Sequence, residues 1–202
     1  MQVCFLVILT RGNSMSLQVD SWIRKMALEH NMITPFLSKS YEDGVISYGL
    51  SSSGYDIRLG TTFYRLKQGY KIVDPKNSDE LDWDVIETSM PYIIHPNDYV
   101  LGHSVETFNI PEDTMVLVIG KSTYARVGLI VNVTPGEPGW SGQWTLEFSN
   151  PTKRPIKLYP NEGIAQCVFF QSSNACEISY KFKNGKYQHQ TGVTISKVKH
   201  NV

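Results

Sequence analysis

The chain has 202 residues, 41% of them hydrophobic and 19% charged, which is ordinary for one globular domain or at most two small ones. Lysine plus arginine equals aspartate plus glutamate at 19 each, so the net charge is zero and a broad nucleic-acid footprint is excluded, while a small anionic ligand needing a few local cations is not. The three cysteines, Cys4, Cys167 and Cys176, are odd in number and form no CxxC pair, which points to a reduced, cytoplasmic setting.

Residues 1–14 stand apart. Their apolar run, Cys4 to Leu9, is too short to cross a bilayer, and it lacks the basic flank and small-residue cleavage site of a signal peptide. Met15 offers a second start, so 1–14 reads as an N-terminal extension or an upstream start, with an extra edge strand as the alternative, and 15–202 as the domain. Asp20 or Ser21 can cap a helix running to about Asn31, with Trp22, Ile23, Met26 and Ala27 on its apolar face. After it the chain reads as mainly β. Short runs rich in Ile, Val, Tyr, Phe and Thr at 55–60, 61–66, 70–74, 91–95, 99–110, 114–120, 127–133, 143–150, 155–159, 165–171 and 176–182 alternate with Gly, Pro, Asn and Asp. Such spacing reads as a barrel, sandwich or jelly roll. The end, 183–202, is polar, a composition often mobile until a ligand orders it. No segment reads as a membrane span.

Two stretches carry chemistry. Gly120 closes a strand run and leads into Lys121, Ser122, Thr123, Tyr124, Ala125 and Arg126. A helical turn starting at Lys121 would aim free N–H groups outward, with two hydroxyls and two cations beside them, which suits phosphate. A plain capped turn fits those residues equally well, and the Walker A pattern is absent. Further on, Glu147 sits in WTLEFSN, where alternation sends Trp144, Leu146 and Phe148 to one side and Thr145, Glu147 and Ser149 to the other. A lone acid there is either a solvent-facing strand residue or a carboxylate tuned for proton transfer. Asp56, in SSSGYDIRLG, reads as part of a turn that opens a strand. The histidines, His30, His95, His103, His189 and His200, are scattered, and the zinc nucleobase-deaminase signature is missing.

In order along the chain, SSSGYDIRLG, GKSTYARVG, EPGWSG, LEFSN and GKYQHQTGVT resemble the motifs of the zinc-independent dCTP deaminases, relatives of the trimeric dUTPases. The resemblance covers Met15 to about Thr194. It implies a dUTPase-like distorted jelly roll or β-barrel with a short N-terminal helix, and hydrolytic deamination of dCTP to dUTP and ammonia. It implies Glu147 as the catalytic acid and base, with Ser122 and Arg126 positioning it and the attacking water. Lys121 to Arg126 would meet the triphosphate and base, Thr145, Leu146 and Glu147 would line the pocket, and Gln166, Tyr180, Lys186 and Gln190 would reach the nucleotide from later strands and the tail. Glu137 aligns with an acidic position of some members. Lys121 stands where many members carry Arg, which loses a bidentate fork but keeps the charge. The loop 132–138 is shorter than in some members. The resemblance further implies a homotrimer, Mg2+ carried by the triphosphate, no zinc, and dTTP as a feedback inhibitor. A bifunctional deaminase–pyrophosphatase, a dUTPase or a nucleotide-sensing module are the alternatives; the tail lacks the Gly-rich motif of dUTPases, and Glu147, Ser122 and Arg126 together speak against a mere sensor.

Overall fold

The computed structural model describes residues 16–198 except 40, 41, 71 and 78–80, so the reading of 1–14 as an extension lies outside the described residues. Chain order gives β1 (Ser16–Leu17), α1 (Asp20–His30), β2 (Ile33–Thr34), β3 (Gly49–Ser51), β4 (Gly54–Arg58), β5 (Thr62–Leu66), β6 (Trp83–Glu87), β7 (Tyr92–Ile94), β8 (Tyr99–Asn109), β9 (Thr114–Gly120), α2 (Ser122–Ala125), β10 (Ile130–Asn132), β11 (Ser141–Ser149), β12 (Ile156–Leu158) and β13 (Gly163–Gln171). The mainly β expectation holds.

Helix α1 buries Ile23 and Ala27, with Trp22 and Met26 packed at the edge of the core. Its N-cap is Val19, not Asp20 or Ser21 as expected; the valine side chain carries no acceptor, and the Asp20 carboxylate takes the N–H of Ser21 at 2.7 Å instead. Asn31 ends it in the left-handed region at φ 52°, its N–H returning to the Met26 carbonyl, a conformation Asn tolerates better than most residues.

One sheet runs β1-β13-β4-β3, with β9 also paired to β13. The second runs β10-β11-β8-β5-β6, with β2 paired to β8, and β12-β7 forms a small third sheet. The sheets share one core but do not close into a barrel. Tyr55 and Phe169 reach it from the first sheet, Phe63, Phe108 and Phe148 from the second, all with no solvent exposure. Each side chain of that size contributes about 1.5–3 kcal/mol by leaving water.

Two expected strands are absent. The segments 70–74 and 176–182 have strand-like composition but their described residues join no strand ladder; Tyr70 and Ile72 stand in solvent, and 176–182 makes isolated backbone bonds, the Cys176 N–H to the Glu112 carbonyl and the Tyr180 N–H to the Pro138 carbonyl, within a run of turns. Strands β2, β3 and β6, not expected from composition, exist because β8, β4 and β5 lie beside them.

Candidate active site

Strand β11 alternates as its sequence requires. Trp144, Leu146 and Phe148 are buried, and Thr145, Glu147 and Ser149 are half-buried on the opposite face. Between Gln143 and Thr145 the pairing with β8 slips, and the Trp144 N–H goes to the Ser104 hydroxyl at 2.9 Å instead of to the ladder. A bulge of this type re-aims the residues that follow it.

Glu147 opens into a cavity of about 920 Å³, which Thr145, Tyr180, Lys186, Gln190 and Glu137 also line. Trp83 and Tyr99 line it as well, Tyr99 on strand β8 beside Glu147. Burial, assisted by the Glu147 charge, pushes the Tyr99 phenol up to about 12, so it stays a neutral O–H donor at physiological pH. The Asn132 amide of β10, directly opposite Glu147 in register, donates to Glu147 Oε2. At the rim, Lys183 pairs with Glu137 at 3.1 Å, and Lys186 Nζ lies 5.0 Å from the Tyr187 ring centroid.

The polar end of the chain is docked. Gln143 and Gln190 exchange two hydrogen bonds, the Gln143 N–H to the Gln190 carbonyl at 2.9 Å and Gln190 Nε2 to the Gln143 carbonyl at 2.7 Å. The Thr194 N–H reaches Thr145 Oγ1 at 3.1 Å, and Tyr187 donates its N–H to the Tyr180 hydroxyl at 3.1 Å. Two glycines allow this close approach. A Cβ on Gly142 would lie 2.8 Å from the Gln190 carbonyl oxygen, and one on Gly185 would lie 2.1 Å from the Tyr180 ring.

The other sequence-derived residues form a second group that does not line this cavity. Lys121 precedes α2, as the helical-turn expectation requires, but its ammonium is 2.6 Å from Asp56 Oδ2, with 12% and 7% of the two side chains exposed. Ser122, Thr123, Ala125 and Arg126 are exposed, and Arg126 Nη1 donates to the Ser122 carbonyl at 3.0 Å. Tyr124 is buried and its hydroxyl accepts the Tyr159 N–H at 3.1 Å; burial pushes that phenol up to about 12. Gln166 stands opposite Asp56 in register and donates to the Ser51 hydroxyl at 3.0 Å. The Leu146 side chain belongs wholly to the core, which leaves only its backbone for a ligand.

The model of the dCTP deaminase-like family matches residues 17–172, which take in Glu147, the α2 turn and Gln166. The chain belongs to that family. It is 50% identical over 186 residues to the dCTP deaminase of Helicobacter pylori strain Shi470, covering 91% of this chain and 99% of that protein. It is 52% identical over 186 residues to the dCTP deaminase of Ectopseudomonas mendocina strain ymp, covering 90% and 98%. The crystal structure of 2'-deoxycytidine 5'-triphosphate deaminase from Agrobacterium tumefaciens superposes with a TM-score of 0.61 at 16% identity, covering 78% of this chain; the chain matches 48% of that protein's length. This last likeness is one of fold.

Within this family frame, the sequence left three neighbours of the site unread. Asn132 shows only as a polar residue in the apolar run 127–133, and Tyr99 as a strand aromatic. Asp56 reads as a turn residue until the structure brings Lys121 to it across 65 positions. Among the described residues no group of three or more His, Cys, Asp or Glu side chains is placed to hold a metal ion, and no helix is long and apolar enough to cross a membrane.

Proposed function

We propose that this protein hydrolyses dCTP to dUTP and ammonia with Glu147 as the general acid and base. The observation that carries the reading is identity of about 50% to dCTP deaminases along nearly the whole chain, combined with a cavity into which Glu147 opens. Glu147 takes a proton from water and passes it to N3 of the cytosine as the hydroxide adds to C4. It then takes the remaining proton of the C4 hydroxyl and passes it to the amino group, so that the C4–N bond breaks, ammonia leaves and the C4 carbonyl forms. Acid–base catalysis of this form contributes about 100- to 10,000-fold. Holding water against C4 in a site closed by the tail supplies the remainder. Thr145 and the Leu146 backbone floor the pocket, and Tyr180, Lys186 and Gln190 grip the nucleotide from the tail. In this reading the base chemistry uses no zinc, and Mg2+ arrives on the triphosphate. Feedback by dTTP would use the same cavity. Two free cysteines, Cys167 and Cys176, support a cytoplasmic location.

The working form in this reading is a homotrimer with each site built across a subunit boundary. Two features support it. The α2 turn, with Ser122, Thr123 and Arg126 at the surface, does not line its own chain's Glu147 cavity, so a neighbouring chain's cavity is where those groups act. Beside the turn, the outward side of β9 and β13 carries cross-strand pairs Met115 with Phe170, Leu117 with Val168 and Ile119 with Gln166. Met115 is 38% and Ile119 56% exposed, an apolar sheet face that a second copy would cover. Lys121 holds the turn through Asp56.

The test is incubation with dCTP and magnesium, followed by ammonia assay and nucleotide chromatography. dUTP rising in step with ammonia is expected; no ammonia, or dUMP with pyrophosphate as the product, would overturn the reading. Light scattering at micromolar concentration should give three chains per particle, and a fully active monomer would contradict the shared site.

A further inference from the structure

Glu147 must present one carboxylate oxygen to water while the carboxylate as a whole stays fixed. A glutamate on a strand has three side-chain torsions, so without support it samples several positions. Asn132 supplies that support. Its strand, β10, is the edge of the second sheet and is held from both sides. Val131 meets Gly120 at the end of β9, where a glycine Cβ would lie 3.1 Å from Val131 Cβ, and Leu129 is buried and donates its N–H to the Tyr124 carbonyl of α2 at 3.2 Å. Asn132 is paired directly with Glu147, so both side chains leave the same face of the sheet, and Asn132 Nδ2 donates to Glu147 Oε2. Among the described residues no other donor bonds the carboxylate.

We propose that Asn132 is a positioning residue that divides the labour of the two Glu147 oxygens: Oε2 remains the acceptor of the Asn132 amide through the whole cycle, and Oε1 alone takes and returns the proton. An amide NH2 can only donate, so the oxygen it holds has one lone pair engaged and is the less basic of the two, which leaves Oε1 as the proton acceptor. When the water O–H bond breaks, its proton goes to Oε1 and on to N3 as the hydroxide adds to C4; when the C4–N bond breaks, the C4 hydroxyl proton passes through Oε1 to the departing amine and the carbonyl forms. Asn has only two side-chain torsions and sits on a strand, so the support is largely pre-organised.

This inference rests on the deaminase reading, and the test separates the two. Wild-type enzyme that releases no ammonia from dCTP defeats the deaminase reading itself. With an active wild type, Asn132→Leu should lower kcat by about 10- to 100-fold, the range a hydrogen bond to a charged group supplies, while KM for dCTP stays within about threefold. The acidic limb of the kcat–pH profile should move to higher pH, because the charged form of Glu147 has lost a donor. Asn132→Asp should move that limb further in the same direction, since it sets a like charge opposite. A readout free of turnover is the carboxyl carbon resonance of Glu147 against pH in labelled protein, which should titrate at higher pH in both variants. An ordinary cross-strand pair would instead shift the thermal midpoint and leave kcat and both pH profiles in place. That result, or kcat of Asn132→Leu within about threefold of wild type, overturns the proposal.

Discussion

Removing Asp56 tests the framework on which the α2 turn stands. The Lys121–Asp56 pair is close, at 2.6 Å, and nearly dry, with side chains 12% and 7% exposed. Asp56→Ala leaves the Lys121 ammonium beside an apolar methyl with little access to water. Breaking a buried pair from one side costs about 3–5 kcal/mol, because the surviving charge keeps its desolvation penalty and loses its partner. In a domain of this size each kcal/mol moves the melting midpoint by about 2–4 °C, so a fall of about 6–20 °C is expected. Adding Lys121→Met removes the stranded charge, and the double variant should recover most of the loss, since apolar replacements of buried pairs are often neutral. The assay is tryptophan fluorescence during thermal and urea unfolding of the four proteins of the cycle, at one fixed protein concentration because assembly is linked to stability. A loss under about 1 kcal/mol for Asp56→Ala, the range of an exposed pair, would refute the argument. So would a double variant no more stable than the single one.

Other outcomes follow from the same geometry. Glu147→Gln keeps the shape of the side chain but cannot cycle a proton, so kcat should fall at least about 100-fold while dCTP affinity by calorimetry is nearly kept; retention of more than about a tenth of kcat would remove Glu147 from the chemistry. Ending the chain at Gly185 deletes the Gln190 bonds to Gln143 and the Thr194 bond to Thr145, so KM should rise and kcat fall together in steady-state assays. A thiol reagent followed by peptide mapping should modify exposed Cys176 in the native protein and spare Cys167 until unfolding, because burial pushes the Cys167 thiol well above its ordinary range.

Much of this was legible in the sequence, and what was not has a physical cause. The spacing of Ile23 and Ala27 fixes the helix, but its start was not legible: Asp20 spends its carboxylate on the neighbouring N–H, and the cap falls to Val19. Segment 70–74 has the composition of a strand, but its described residues pair with no other strand, whereas β6, at 83–87, is a strand because β5 runs beside it. Strand character is decided by pairing, which lies outside any local window. The site follows the same rule. Alternation around Glu147 gave its face correctly, and the turn at Lys121 was readable as a turn. The bonds that define each group, Lys121 to Asp56 and Asn132 to Glu147, depend on which strands are neighbours and in what register. The division of the sequence-derived residues between the Glu147 cavity and the α2 turn is likewise a property of the folded sheets.

The central claim, attack of water on carbon rather than phosphorus, is tested most directly by one turnover experiment in water enriched in oxygen-18, with dCTP and magnesium, read by mass spectrometry of the nucleotides. The account predicts dUTP with an intact, unlabelled triphosphate and a single oxygen-18 on the pyrimidine ring. A nucleoside monophosphate carrying the label on its phosphate, with an unlabelled ring, would contradict it.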